Sequence, residues 1–210
     1  MVQGRRQEIN RTAEQIRKAL DLDQVPFPVE LAVERLGGQL IFTSEPADGF
    51  RTSRDALGRA ELVLPRRESV ADIDAEALIR KDGDSFVIVL GNQLRDQPGD
   101  QPEMRKRFSI AHELGHLFLH MGYLVDPPRW ERTGEYRDAP RYRYGFSDEE
   151  TEAHEFAAAL LMPADDFRAA VSRWSSEGHT QLGPLAEHFQ VSREAARVRG
   201  QWLGVFEWGR

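Results

Sequence analysis

Apolar residues recur at helical spacing along a stretch that begins at Pro102 and ends at Met121. Pro102 suits the first helical turn, where its missing N–H needs no partner. The apolar positions form one stripe, made of Ile110, Leu114, Leu117, Phe118 and Met121. We therefore predict a buried helix over 102–121.

The same pattern predicts a mainly helical α+β chain with a small sheet. Further helices are predicted over 8–20, 29–36, 147–162, 164–174, 181–189 and 193–203. Strands are predicted over 39–43, 61–64 and 86–90. The strand over 86–90 is continuously apolar, so we expect it to be buried on both faces, beneath the helix over 102–121. Residues 122–146 have no clear period and form either an exposed insertion or a substrate-binding lid.

The last two predicted helices are separated by the tight turn Gln190-Val191, with Ser192 at the second cap. This spacing is typical of a helix-turn-helix pair. We predict a first domain over 1–176 and a helix-turn-helix-like appendage over 177–210, packed on the first. The second helix of the pair carries three candidate DNA-binding residues: Arg193, Arg197 and Arg199. Three arginines make a thin basic patch in a protein of net charge −7, so we favour packing over DNA binding.

Composition bounds the chemistry further. The chain has no cysteine, which excludes disulfides and thiolate metal ligands. No apolar run is long enough to span a bilayer, and the N-terminal residues lack the core of a signal peptide, so we expect a cytoplasmic protein.

The helix over 102–121 also carries the pattern H-E-x-x-H, as His112, Glu113 and His116. A spacing of four places both imidazoles within about 40° of each other on one side of a helix. They can bind one metal ion, with Glu113 placed to act as general base on a water molecule. A buried His-Glu-His cluster without a metal would leave polar groups unpaired, at a cost in free energy.

A catalytic zinc site usually has three protein ligands. Candidates for the third are His120, His154 and the carboxylates between Asp148 and Glu155. The three-histidine metzincin pattern is excluded, because Leu119 stands at its glycine position. Glu152 is the preferred candidate, because the core residue Phe156 lies one helical turn later and Glu152 should therefore face inward. From these residues alone, the neighbouring acids taken together are as good a choice as Glu152. Two further acids are candidate partners of a ligand histidine: Glu149 and Glu155.

Two segments of the chain resemble the ImmA/IrrE family of metallopeptidases. They are RFSIAHELGHLFLH at 107–120 and EAHEFAAALLMP at 152–163. The resemblance implies a zincin-like fold and a gluzincin-like site holding one zinc ion, with His112, His116 and Glu152 as ligands and Glu113 as base. The donor set does not separate zinc from other divalent ions. His154 stands where the family usually has Asn or Asp, and we favour a structural role for it over accessory ligation.

The implied activity is endopeptidase hydrolysis of a protein partner. By analogy with the family, the partner is a helix-turn-helix transcriptional repressor that controls a mobile element, a stress response or a toxin–antitoxin-like pair. Four residues are candidate donors to the oxyanion of the reaction: His120, His154, Tyr142 and Tyr144. The alternative is a regulatory protein that binds DNA or a partner through its C-terminal helices, with little or no peptidase activity.

Overall fold

The computed structural model describes residues 3–43, 51–54, 60–63, 77–91, 94, 102–133, 148–176 and 179–207. Its α-helices are α1 (Gln3–Ala19), α2 (Val29–Arg35), α3 (Pro102–Gly115), α4 (Pro127–Arg132), α5 (Asp148–Leu161), α6 (Ala164–Arg173), α7 (Leu182–Phe189) and α8 (Arg193–Trp202). A π-helix, His116–His120, continues α3. The strands are β1 (Gln39–Thr43), β2 (Arg51–Arg54), β3 (Ala60–Val63), β4 (Ala77–Asp82), β5 (Ser85–Gly91), β6 (Ser175–Ser176) and β7 (His179–Thr180).

A three-stranded sheet lies behind α3. Strand β5 is its centre, parallel to β1 and antiparallel to β4. Residues 86–91 are all buried, which confirms the predicted burial of this strand on both faces, and α3 packs against β4 and β5. Strand β4 was missed by the sequence prediction because its second half, Arg80-Lys81-Asp82, is charged. The turn to β5 uses Gly83 at a positive φ of 60°, a conformation that glycine adopts without strain.

Three segments outside the predicted helices and strands contain regular structure. Strand β2 lies in the polar segment 45–60 and pairs with β3, although Arg-Thr-Ser-Arg has no apolar alternation to predict it. Helix α4 lies in the segment 122–146, where Asp126 caps it by accepting from the backbone N–H of Arg129 at 3.1 Å. The hairpin β6–β7 follows α6. Short polar elements of this kind depend on capping and tertiary contacts more than on an apolar period.

Helix α5 lies between α1 and α3. It approaches α3 closely at Gly115, where an added Cβ would lie 2.9 Å from Cα of Ala153 and 3.0 Å from its carbonyl oxygen. Only a residue without a side chain allows this backbone separation. The contact determines which side of α5 faces the H-E-x-x-H motif.

The C-terminal helices belong to the same hydrophobic core as the rest of the chain. Leu185, Phe189 and Val191 are fully buried in it. The described architecture, mostly helical with small sheets, is consistent with an α+β zincin-like fold. The boundary at 176 and the helix-turn-helix character of α7 and α8 stay predictions. Within the described segments, no helix is both long and apolar enough to cross a bilayer.

Candidate metal centre

The H-E-x-x-H motif spans the junction of α3 and the π-helix. His112 and Glu113 lie in the last turn of α3, and His116 is the first residue of the π-helix. Ile110, Leu114 and Leu117 are fully buried and anchor this segment in the core, as the apolar stripe predicted. Packing of these side chains fixes the rotation of the helix about its own axis, and this fixes the direction in which the two imidazoles project.

His112, His116 and Glu150 converge on one point. The Nε2 atoms of the two histidines are 3.1 Å apart. A carboxylate oxygen of Glu150 lies 3.1 Å from Nε2 of His112, and the other lies 3.4 Å from Nε2 of His116. Within the described residues these three form a group whose ligand atoms all lie within 4.8 Å of one another.

This donor set fits a zinc ion. Two nitrogens that bind one tetrahedral zinc at about 2.0–2.1 Å are about 3.3 Å apart, close to the separation observed between the histidines. Two imidazoles and one carboxylate are the ligands of the catalytic His2Glu type, which leaves a fourth position for water. The side chain of Glu150 is 34% exposed whereas that of His116 is 3% exposed, so the group reaches solvent on its Glu150 side.

Glu152, the third ligand expected from the sequence, does not lie in this group. Its carboxylate accepts from Nε and a terminal nitrogen of Arg5 on α1, at 2.8 and 2.6 Å. The physical reason is the rotation of α5, which the contact between Gly115 and Ala153 sets. Glu150 lies one turn before Ala153 and shares its face, whereas Glu152 is rotated about 100° from Ala153, toward α1.

Burial and pairing adjust the protonation of the group. Burial lowers the pKa of His112 to about 4, against the opposing hydrogen bond with Glu150, so this imidazole is neutral at pH 7. Hydrogen bonds with His112 and His116 hold the pKa of the Glu150 carboxyl well below its usual range. Neutral imidazoles and an ionised carboxylate are the states that bind a metal.

His120 lies behind His116, on the π-helix. The two Nδ1 atoms are 2.9 Å apart, and Nε2 of His120 lies 3.4 Å from a carboxylate oxygen of Glu152. Burial is the main cause of the lowered pKa of His120. The π-helix, which closes with the backbone N–H of Met121 donating to the carbonyl of His116, gives His120 this position.

The remaining predicted site residues fall into four groups. His154 packs edge-on against His112, with ring centroids 4.4 Å apart, and its Nδ1 lies 2.8 Å from the backbone carbonyl of Glu150. Glu149 is exposed. Glu155 is 5% exposed and lies in a polar network with α1 and α8, away from the three-residue group. The other two candidates, Tyr142 and Tyr144, lie outside the described residues.

One of the three candidate DNA-binding arginines is inside the protein. Arg199 is 1% exposed and pairs with Glu155 at 3.0 Å, while it also donates to Asn10 at 2.8 Å. It cannot reach DNA from there. Arg197 is paired with Glu194 on the surface, and Arg193 is exposed. The basic patch predicted on α8 is therefore smaller than the sequence indicated.

Glu113 is buried, at 6% exposed, next to His112 on α3. The sequence interpretation included Glu150 only among the candidate carboxylates and preferred Glu152, and it did not identify Arg5 as the partner of Glu152. The signal for Glu150 was the pairing of two small residues, Gly115 and Ala153, which predicts the face of close approach between helices. The ion pair with Arg5 joins residues 147 positions apart, and nothing in the local sequence indicates it.

A helix-borne H-E-x-x-H motif with a carboxylate from a second helix defines a metallopeptidase-type site. Comparison with family models agrees, because the model of the IrrE N-terminal-like domain, Peptidase_M78, matches residues 98–200. The chain belongs through these residues to the ImmA/IrrE family of metallopeptidases, as the resemblance predicted. No curated protein matches the chain significantly.

Proposed function

We propose that this protein is a zinc-dependent endopeptidase that acts on a protein partner in the cytoplasm. The observation that carries the proposal is the convergence of His112, His116 and Glu150 beside the buried Glu113. The three converging residues would hold one zinc ion, and Glu113 would be the general base. This assignment replaces Glu152 by Glu150 in the ligand set that the sequence indicated.

When bound, zinc supplies Lewis acidity toward the scissile carbonyl and lowers the pKa of a water molecule toward about 7. Glu113 takes the proton of the attacking water and later delivers it to the amine that leaves. The oxyanion requires a donor as well, and among the described candidates His154 packs on His112, with ring centroids 4.4 Å apart.

A cavity of about 350 Å³ is lined in part by His154. It lies between α1, α3, α5 and α8, and its apolar lining includes Phe108, Ala158, Val198 and Trp202. The ring of His154 lies between Phe108, at 6.0 Å, and His112, at 4.4 Å. A cavity of this size accommodates apolar side chains of a peptide that lies across the proposed site.

The identity of the partner is proposed from the family alone. We infer a helix-turn-helix transcriptional repressor, whose cleavage would regulate a mobile element, a stress response or a toxin–antitoxin-like pair. Site chemistry supports hydrolysis of a peptide bond and does not select the protein that contains it.

The test is co-expression with candidate repressors, followed by mass spectrometry of the fragments. Wild type should produce defined fragments, and Glu113→Gln should produce none while it retains zinc by elemental analysis. Equal cleavage by Glu113→Gln would remove this residue from the mechanism. Preparations that contain no divalent metal, with fragments still formed, would refute the metallopeptidase assignment.

The competing function, regulation by DNA binding through α7 and α8, has less support. Arg199 is buried and Arg197 is paired with Glu194, which leaves Arg193 as the exposed arginine of the predicted patch. A salt-dependent shift of duplex DNA by the full chain, lost in Arg193→Ala, would favour this function.

A further inference from the structure

Four side chains form a continuous line behind the proposed metal centre. His116 contacts His120 through their Nδ1 atoms at 2.9 Å, and His120 contacts Glu152 through Nε2 at 3.4 Å. Glu152 in turn accepts two hydrogen bonds from Arg5, at 2.8 and 2.6 Å. The line joins the π-helix, α5 and α1.

Metal ligation fixes the direction of every hydrogen bond along this line. If Nε2 of His116 gives its lone pair to a metal, its Nδ1 carries the proton and must donate. Nδ1 of His120 is then the acceptor, so Nε2 of His120 carries a proton and donates to Glu152. Glu152 is an acceptor on both sides, toward His120 and toward Arg5. Each donor meets an acceptor, with no group left in a conflicting role.

Burial makes these contacts difficult to replace by water. The side chains of His116, His120 and Glu152 are 3%, 7% and 15% exposed. His112, the other histidine of the group, is different, because its buried Nδ1 has no hydrogen-bond partner among the described residues. Within the described structure, the orienting contacts are therefore concentrated on His116.

We propose that His120, Glu152 and Arg5 are positioning residues that hold His116 in its Nδ1-protonated tautomer with Nε2 aimed at the metal. This inference rests on the proposed zinc site. Under this inference, Glu152 orients His120 and is not itself a ligand. The π-helix contributes because it places His120 within hydrogen-bond distance of both His116 and Glu152. Partners of this kind typically change metal affinity by about 10- to 100-fold.

The experiment measures zinc affinity of the full chain by chelator competition for wild type, His120→Phe and Glu152→Gln. His120→Phe keeps the ring and removes both nitrogens, so we expect zinc affinity to fall about 10- to 100-fold. Glu152→Gln keeps the shape and should weaken binding less, because it acts through His120. The matched control is Asp148→Asn, an exposed acid in the first turn of the same helix, which should bind zinc as wild type does.

Nitrogen NMR of the histidine rings in the zinc-loaded protein separates positioning from a merely structural role. We expect His116 protonated at Nδ1 and His120 protonated at Nε2. Protonation of His120 at Nδ1, or wild-type zinc affinity in both His120→Phe and Glu152→Gln, would overturn the inference and leave the zinc site intact. Absence of zinc binding by the wild type would overturn the proposed function itself, so the two failures are distinguishable.

Discussion

The choice between Glu150 and Glu152 as the third ligand can be decided by zinc affinity. We compare Glu150→Ala with Glu152→Ala, two substitutions of the same type two residues apart on α5. Glu150 lies 3.1 and 3.4 Å from the Nε2 atoms of His112 and His116, whereas Glu152 is separated from His116 by the ring of His120.

The expected magnitudes differ for a physical reason. Zinc bound by four protein ligands is worth about 10–16 kcal/mol, or about 2.5–4 kcal/mol per ligand. Loss of the Glu150 carboxylate should therefore weaken zinc binding about 100- to 1,000-fold. Glu152→Ala removes a group that acts through His120, for which about tenfold is expected.

Competition with a chromophoric chelator at fixed pH gives both constants, and thermal unfolding of the zinc-free proteins shows whether each variant is folded. The reasoning would be refuted by the opposite order, with Glu152→Ala losing far more affinity than Glu150→Ala. Equal and small losses in both variants would show that neither carboxylate binds the ion.

Three further predictions concern stability. Gly115→Ala introduces a Cβ against the backbone of α5, so it should destabilise the fold by about 1–3 kcal/mol and weaken zinc binding, whereas Gly4→Ala, with open space around it, should do neither. Arg199→Met removes the more deeply buried of the two arginines that pair with Glu155 and should lower the free energy of unfolding by about 3 kcal/mol in urea titrations, while Arg197→Met on the surface should leave it nearly unchanged. The pKa of His112 is lowered to about 4 on folding, so between about pH 4 and 6.5 the unfolded chain binds more protons than the folded chain. The zinc-free protein should therefore lose about 2 kcal/mol of stability when the pH falls from 7.5 to 5, and His112→Gln should lose less.

Sequence patterns predicted the buried elements well. The apolar stripe from Ile110 to Met121 gave the helix of the metal site, and the run from Phe86 to Leu90 gave the central strand of the sheet. Both depend on the periodic burial of apolar side chains, which is a local property of the chain. The charged strand β4 and the π-helix were missed, because pairing with β5 and the local change of helix type leave no apolar signature.

The candidate site was predictable in kind and only partly in detail. The spacing of His112 and His116 predicts a shared ligand geometry, since it fixes their angle around one helix. The third ligand depends on how a second helix is rotated against the first, and that rotation results from packing at Gly115. Phe156, used to orient α5 from the sequence, indicates which side is buried but not which neighbouring helix that side meets.

Three glutamates on α5 show how helix rotation assigns roles to residues of one type. Glu150 faces α3 and joins the metal group. At about 100° per residue, Glu152 is rotated about 200° from Glu150, and Glu155 lies within about 60° of Glu152. These two therefore face α1, where Glu152 pairs with Arg5 and Glu155 pairs with Arg6. Arg199 of α8 also pairs with Glu155. Residues near both ends of the chain thus fix the rotation of α5 from the side opposite the metal group. The orientation of Glu150 therefore depends on those ion pairs as well as on the contact with α3.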